Sequence, residues 1–500
     1  MSGSLAPSSL ARLLGRWNPG AAPAYRELSD VVRLLVLDGR IPLDVALPSE
    51  RSLATALGIS RTTVTAAYAS LREQGLLRGG QGSRGRTGVP GPEVNSAVRT
   101  TGPGLGGGPG LAVPDGLLDL AYASLPASGE VVHRAFATAL TELPALLPGF
   151  GYDALGVRAL REAVAARYSA AGVPTAAAQI LVTSGAQHAL NIVLRTLTGR
   201  ADRVLVENPS YPHALDAIRA AGCRPVPVAM PPATPRGQPS AGPSPGWDLD
   251  AMDSALQQRP ALAYVIPDFH NPTGRLMRDP QRRRLVRAAA ASGTVLVADE
   301  TLRELNLDAE AATPMAAFSP AVVSIGSLSK SHWAGLRTGW IRADEPLIQR
   351  FAAARTTMDL GGPVVEQLAA AHLVNSLTEP LPARLGMLRE NREALLSLVA
   401  EHLPSWQAER PDGGLSIWCR LPAPVSTALA VIAPDFGLRL AAGPRFGVGG
   451  ALEHYLRVPF TLPSDQLETA VLALRAAQDR LDSAPTLRRH PSALPAVAIA

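Results

Sequence analysis

Apolar positions change their rhythm several times along this chain, and each change marks an element. From Ala24 to Asp38, Leu28, Val31, Val32 and Leu35 recur at helical spacing, which predicts an amphipathic helix stopped by Gly39. Ser49 stands at the N-cap position of a short helix through Leu57, with Gly58 behind it. Ser60 caps a third helix that runs to about Gly75. Leu76–Arg78 then reads as a strand, and Gln81-Gly82-Ser83 as the turn of a two-stranded element. Ahead of this unit, residues 1–23 are rich in Ser, Ala, Gly and Pro and predict a flexible arm.

Further along, the helical period is interrupted by short apolar runs at Ile180–Val182, Arg203–Glu207, Leu262–Ile266, Val295–Asp299 and Val322–Gly326. Helical segments separate them, which predicts a mostly parallel sheet covered on both faces. Ligands of such sheets sit at the carboxyl ends of the strands. Three stretches carry no period at all: a Gly/Pro-rich linker at 89–116, a surface insertion at 231–246 and a disordered tail at 483–500. The expected division is a small unit at 24–88 and an α/β domain at 117–482.

Composition narrows the setting. A chain of 500 residues has room for two or three domains. No apolar run reaches the length of a membrane span, and the N-terminus shows no secretory leader, so no membrane partner is expected. Cys223 and Cys419 are too few for a disulfide framework or a structural zinc site, so no metal site is expected and a cytoplasmic location follows. Residues 1–88 hold 11 arginines against 6 acidic residues, which accounts for the whole net charge of +5. That asymmetry points to a polyanionic partner for the first unit alone.

Among 47 basic residues Lys330 is the only lysine. Arginine stays protonated, whereas a desolvated lysine amine can lose its proton and attack a carbonyl to form a Schiff base. One lysine in an arginine-rich composition also arises by chance. The neighbouring motifs weigh against chance.

The first unit resembles the GntR family of DNA-binding domains through Leu47-Pro48-Ser49-Glu50-Arg51 and Gly58-Ile59-Ser60-Arg61-Thr62-Thr63-Val64. The resemblance implies a winged helix-turn-helix whose third helix enters the major groove of double-stranded DNA. Ser60, Arg61, Thr62 and Thr63 would sit at its N-terminus, Arg51 would hold the backbone, and Gly82-Ser83 would form the wing tip. An Arg in a first helical turn can reach a guanine edge bidentately, and hydroxyls beside it can meet phosphate. Arg84-Gly85-Arg86 departs from the family, which usually has a Gly-Thr-Phe-like strand there.

The larger domain resembles the fold-type I aminotransferases, through Ser327-Leu328-Ser329-Lys330 and Gly335-Leu336-Arg337-Thr338-Gly339-Trp340. Such a domain is α/β, with a mostly parallel central sheet and a smaller C-terminal subdomain, and it binds pyridoxal 5'-phosphate. Carried over residue by residue, Lys330 would hold the cofactor. Ser184-Gly185-Ala186-Gln187, which opens a helix, would cradle its phosphate with Ser327, Ser329 and Arg337. Tyr211 would stack on the pyridine ring, Asn271 would bond the phenolic oxygen, and Asp299 would pair with the ring nitrogen. Tyr152 would reach the phosphate across a homodimer interface, and Arg457 would clamp a substrate carboxylate. Relatives place a tyrosine two or three residues after the aspartate; here those positions are Thr301 and Leu302.

A GntR-like reader joined to an aminotransferase-like domain is the layout of the MocR family. The resemblance implies a transcription regulator that senses pyridoxal phosphate, an amine or an amino acid through Schiff-base chemistry. The alternative is a working aminotransferase with an auxiliary DNA-binding domain. A homologue without cofactor fails on the lysine argument.

Overall fold

The computed structural model describes residues 5–14, 23–37, 41, 45–78, 85–87, 117–231, 246–376 and 381–483. The expected wing tip at Gly82 and Ser83, the linker at 89–116, most of the insertion and the tail beyond 483 lie outside them. Contacts divide the chain into two compact units: residues 1–122 with 421–442 and 469–500, and residues 123–420 with 443–468.

In the first unit four helices lead: α1 (Pro7–Leu14), α2 (Ala24–Leu37), α3 (Glu50–Leu57) and α4 (Arg61–Glu73). Leu28, Val32 and Leu35 form the buried stripe of α2 and meet Leu53, Val64 and Leu71 in one core. Ser49 caps α3 by accepting from the Ser52 amide at 3.2 Å, and Gly58 ends it at φ 67°. That left-handed stop is a conformation glycine adopts without strain. Tyr68 on α4 donates to the Pro48 carbonyl at 3.0 Å, which fixes α4 against the turn that leads into α3. Leu77–Arg78 pairs antiparallel with Arg86–Thr87, a ribbon placed as a wing would be.

Two features of this unit differ from expectation. The segment read as a flexible arm contains α1, whose Leu10 and Leu14 are buried in the same core. Four-residue spacing of two leucines is a helix signal, masked here by Ser, Ala, Gly and Pro on either side. The unit also takes in C-terminal pieces: the helix Ser426–Ile432, a strand Leu438–Ala442 paired parallel with Leu118–Leu120, and the end of the helix Ser464–Ser483.

The second unit is built on a seven-stranded sheet: β1 (Ile180–Thr183), β2 (Arg203–Asn208), β3 (Arg224–Ala229), β4 (Leu262–Val265), β5 (Val295–Asp299), β6 (Val323–Ser327) and β7 (Gly339–Arg342). The spatial order is β1-β7-β6-β5-β4-β2-β3, and among these described strands only β7 runs antiparallel to its neighbours. Successive side chains alternate between two cores. Ala263 and Val265 enter one, with the helices Arg158–Ala170 and Asp279–Ser292; Leu262 and Tyr264 enter the other, with Ala186–Leu197 and Glu345–Arg355. Burial on both faces explains the continuous apolar runs. β3 was not anticipated because Pro225 and Pro227 interrupt its pattern; it lies at the sheet edge, where missing amides are tolerated. A separate antiparallel ladder pairs Ser416–Arg420 with Tyr455–Pro459.

Candidate functional site

Five strands of the sheet deliver chemistry at their carboxyl ends. β5 ends on Asp299, and β6 ends on Ser327, three residues before Lys330. β4 feeds the loop that carries Asn271, β2 feeds Tyr211, and β1 runs through Ser184 and Gly185 into the helix Ala186–Leu197.

Lys330 is half-buried, and its Nζ donates to the Ala123 carbonyl at 2.6 Å. Burial first, then the positive charge of Arg457, lowers its ammonium to about 8, against the opposing pull of Asp299. A cavity beside it is lined by Ala123, Asn271, Leu302 and Ser416. Asp299 is buried. Its Oδ2 accepts from the Tyr264 hydroxyl at 2.6 Å and its Oδ1 from the Thr301 amide at 3.0 Å. Burial raises its carboxyl, and the Tyr264 hydrogen bond leads the effects that oppose the rise.

Gly185 sits at φ 86°, where the chain turns from strand to helix, and a Cβ there would lie 2.9 Å from Arg337 Nη2. Arg337 in turn donates to the Ser184 carbonyl at 3.0 Å. Ser327 and Ser329 share a hydroxyl hydrogen bond of 2.9 Å beneath. A helix start together with a guanidinium can cradle an anion, although the Ser184 amide here already donates to His188 Nδ1 at 3.1 Å. Arg457, paired with Trp418 in its ladder, lies 5.0 Å above the Phe446 ring and donates to Asn271 Oδ1 at 3.3 Å. Tyr211 is half-buried and meets His213 edge-to-face at 5.4 Å.

Tyr152 stands apart. It is 75% exposed, and its hydroxyl has no partner among the described residues. In the first unit Arg61 opens α4 with its side chain 71% exposed, 3.9 Å from Glu50. Arg51 is exposed on α3. The neighbouring hydroxyls bond one another: Ser60 Oγ lies 2.8 Å from Thr62 Oγ1 and 2.7 Å from Thr63 Oγ1. Capping uses the Ser60 oxygen, which also accepts from the Thr63 amide at 3.1 Å.

The class I and II aminotransferases match residues 151–474, and the gntR family of bacterial regulatory proteins matches residues 24–85. The chain belongs to the class I and II aminotransferase family, joined to a GntR reader. The uncharacterized HTH-type transcriptional regulator YisV of Bacillus subtilis is 29% identical over 443 residues, covering 81% of this chain and 86% of its own. The probable rhizopine catabolism regulatory protein MocR of Rhizobium meliloti is 26% identical, over 80% of this chain and 82% of its own. The 2-aminoadipate transaminase of Thermus thermophilus is 32% identical over 60% of this chain and 75% of its own. In structure, LysN, an α-aminoadipate aminotransferase from the same organism, aligns with a TM-score of 0.66 at 28% identity, covering 74% of this chain and 94% of its own. That protein was solved with N-(5'-phosphopyridoxyl)-L-leucine. This two-module family member is thus of the MocR type, a DNA-binding regulator whose cofactor is pyridoxal phosphate.

The residues fit that cofactor. Asp299 is a buried carboxylate with no ion pair among the described residues, an arrangement a protonated ring nitrogen would complete. Among the described residues no cluster of His, Cys, Asp and Glu could hold a metal ion, and no helix is long and apolar enough to cross a membrane. The sequence reading missed Tyr264 and His213. Tyr264 in particular looks like one more apolar strand position; only the adjacency of β4 and β5 brings it to Asp299.

Proposed function

We propose that this regulator senses an amine or amino acid through cofactor held on Lys330, and that occupancy of the site changes how its GntR units grip an operator. The observation that carries the reading is Lys330 itself: the sole lysine, with an ammonium lowered to about 8, in a site whose buried Asp299 makes no ion pair among the described residues. When bound, the cofactor supplies an aldehyde that condenses with amines and a ring that draws electrons from what is attached. Lys330 offers the attacking amine, and Asp299 holds the proton at the ring nitrogen. Asn271 accepts from Arg457 on its carbonyl side, which leaves its NH2 to donate to the phenolic oxygen. Tyr211 packs on the ring. Ser184, Gly185, Ala186, Ser327, Ser329 and Arg337 hold the phosphate, and Arg457 takes the carboxylate of an amino acid.

Arg61 reads a base edge while Ser60, Thr62, Thr63 and Arg51 hold the phosphate backbone. A ligand shifts such a regulator only through different affinities for its two states. The protein works in the cytoplasm as a homodimer. Tyr152 lies among exposed apolar side chains (Phe150 at 97%, Leu147 at 67%, Leu360 at 57%), and a second copy covering that face receives the phenol at its phosphate site. Sedimentation at micromolar concentration should give a dimer; a cofactor-loaded monomer would refute it.

A working aminotransferase is the second reading, favoured by the retention of Lys330, Asp299 and Arg457 together and by likeness to a transaminase. Thr301 and Leu302 weigh against it, because neither supplies a phenol to the cofactor's phenolic oxygen. The deciding experiment scores a panel of amino acids in parallel for spectral shift, operator affinity and keto-acid formation. Spectral shifts that track operator affinity without sustained turnover support the sensor. Turnover above about 1 per second with DNA binding indifferent to ligand would replace it with the enzyme.

A further inference from the structure

Tyr264 is fully buried on β4, in the strand pair where it lies opposite Val297 of β5. Asp299 follows two positions after Val297, so the two side chains project from the same face of neighbouring strands. Their contact is a 2.6 Å hydrogen bond from the phenol to Oδ2. Among the described residues nothing else claims the Tyr264 hydroxyl. Burial first, then the charge of Asp299, pushes this phenol well above its usual value, so it remains a donor at any pH the protein meets.

We infer that Tyr264 is a positioning residue that keeps Asp299 ionised and aimed, and thereby sets how firmly the cofactor's ring nitrogen holds its proton. The inference rests on the cofactor reading above and concerns the same site.

Asp299 sits where burial favours its neutral form, and a neutral carboxyl cannot hold a pyridinium. A buried donor hydrogen bond to the carboxylate opposes that drift, since it stabilises the charged form. The bond also has a direction. It fixes Oδ2 from the β4 side while the Thr301 amide fixes Oδ1, so the carboxylate plane is held from two sides before any ligand arrives. The ring end of the site thus keeps a supported carboxylate, although positions 301 and 302 bring no phenol to the opposite end.

The test is Tyr264→Phe, which removes only the hydroxyl from a packed ring. In the full-length protein loaded with pyridoxal phosphate, a less protonated ring withdraws fewer electrons. The pH midpoint of the lysine-bound visible band should then rise by about one unit, and cofactor affinity by equilibrium dialysis should fall about tenfold. The same two proteins loaded with the 1-deaza analogue, which has no ring nitrogen, should differ little in either quantity. An unchanged midpoint and affinity in a variant that melts as wild type overturns the inference. Equal shifts with the deaza analogue also overturn it, because they would show a packing effect. If wild type shows no lysine-dependent band, the cofactor reading falls and takes this inference with it. A band in wild type with a silent Tyr264→Phe removes this inference alone.

Discussion

Arg480 Nη2 lies 2.9 Å from Asp30 Oδ2, joining the helix Ser464–Ser483 to α2 of the DNA reader across 450 positions of sequence. Asp30 is buried, and Arg480 also reaches Asp435 at 3.3 Å, with Arg33 at 4.0 Å from Asp435 on its other side. Burial raises the Asp30 carboxyl, and Arg480 leads the effects that pull it back. The C-terminal helix is thereby held to the reader by charge inside one compact unit.

Arg480→Ala should therefore cost roughly 1.5–3 kcal/mol, the range for a lost hydrogen bond to a charged group. The sign with pH is set by Asp30. A carboxyl raised above its usual value in the folded state favours folding at low pH, and this contribution is lost as pH rises through its folded value. Removing Arg480 raises that value further, so the deficit of the variant should be smallest at acid pH and grow through the carboxyl range. Urea midpoints between pH 3 and 7 would check it; a deficit that shrinks with rising pH contradicts the pairing.

Lys330→Ala should abolish the visible band of lysine-bound cofactor, and Lys330→Arg should do the same despite keeping the charge. In wild type the attacking species is the neutral amine. With the ammonium lowered to about 8, the capture rate of added cofactor should climb with pH and level off above that value. Stopped-flow absorbance reads this directly. A rate still climbing at pH 10 would mean an ordinary, exposed lysine.

At the reader, Arg61→Ala should weaken operator binding by roughly 1–3 kcal/mol and relax preference at one base position. Arg51→Ala should weaken all sequences alike and lower the salt slope by about 1. Gel shifts on operator and scrambled duplexes at two salt concentrations separate the outcomes. Wild-type affinity in Arg61→Ala would move base reading away from the start of α4.

Leu302 lines the cavity beside Lys330, whereas the Thr301 amide turns back to Asp299. Position 302 is therefore where a phenol would meet the cofactor, and Leu302→Tyr should raise keto-acid turnover by about one to two decades. Single-turnover absorbance with an amino acid that Arg457 can clamp gives the measurement. No gain in a folded, cofactor-binding variant would show that the missing phenol does not limit turnover.

The helices of the reader, the strands around the site and the cofactor motifs were legible in the sequence because each is written locally. Ser49 and Ser60 cap the helices that follow them, Gly58 ends a helix in a conformation that costs glycine nothing, and the run Ser327–Lys330 carries its own turn. Their order along the chain was enough to fix the family. Pairings between distant segments were not legible, because strand adjacency and helix docking decide them and no local spacing encodes either. The 2.6 Å bond of Lys330 to Ala123 spans 207 positions, and Tyr264 reaches Asp299 only because β4 and β5 are neighbours in register. The helix Pro7–Leu14 shows the same limit at short range: its two buried leucines form a stable face only against a core built by residues that follow later. Local sequence determined which groups are present, and the tertiary structure decided which charges share buried space and so what their protons do.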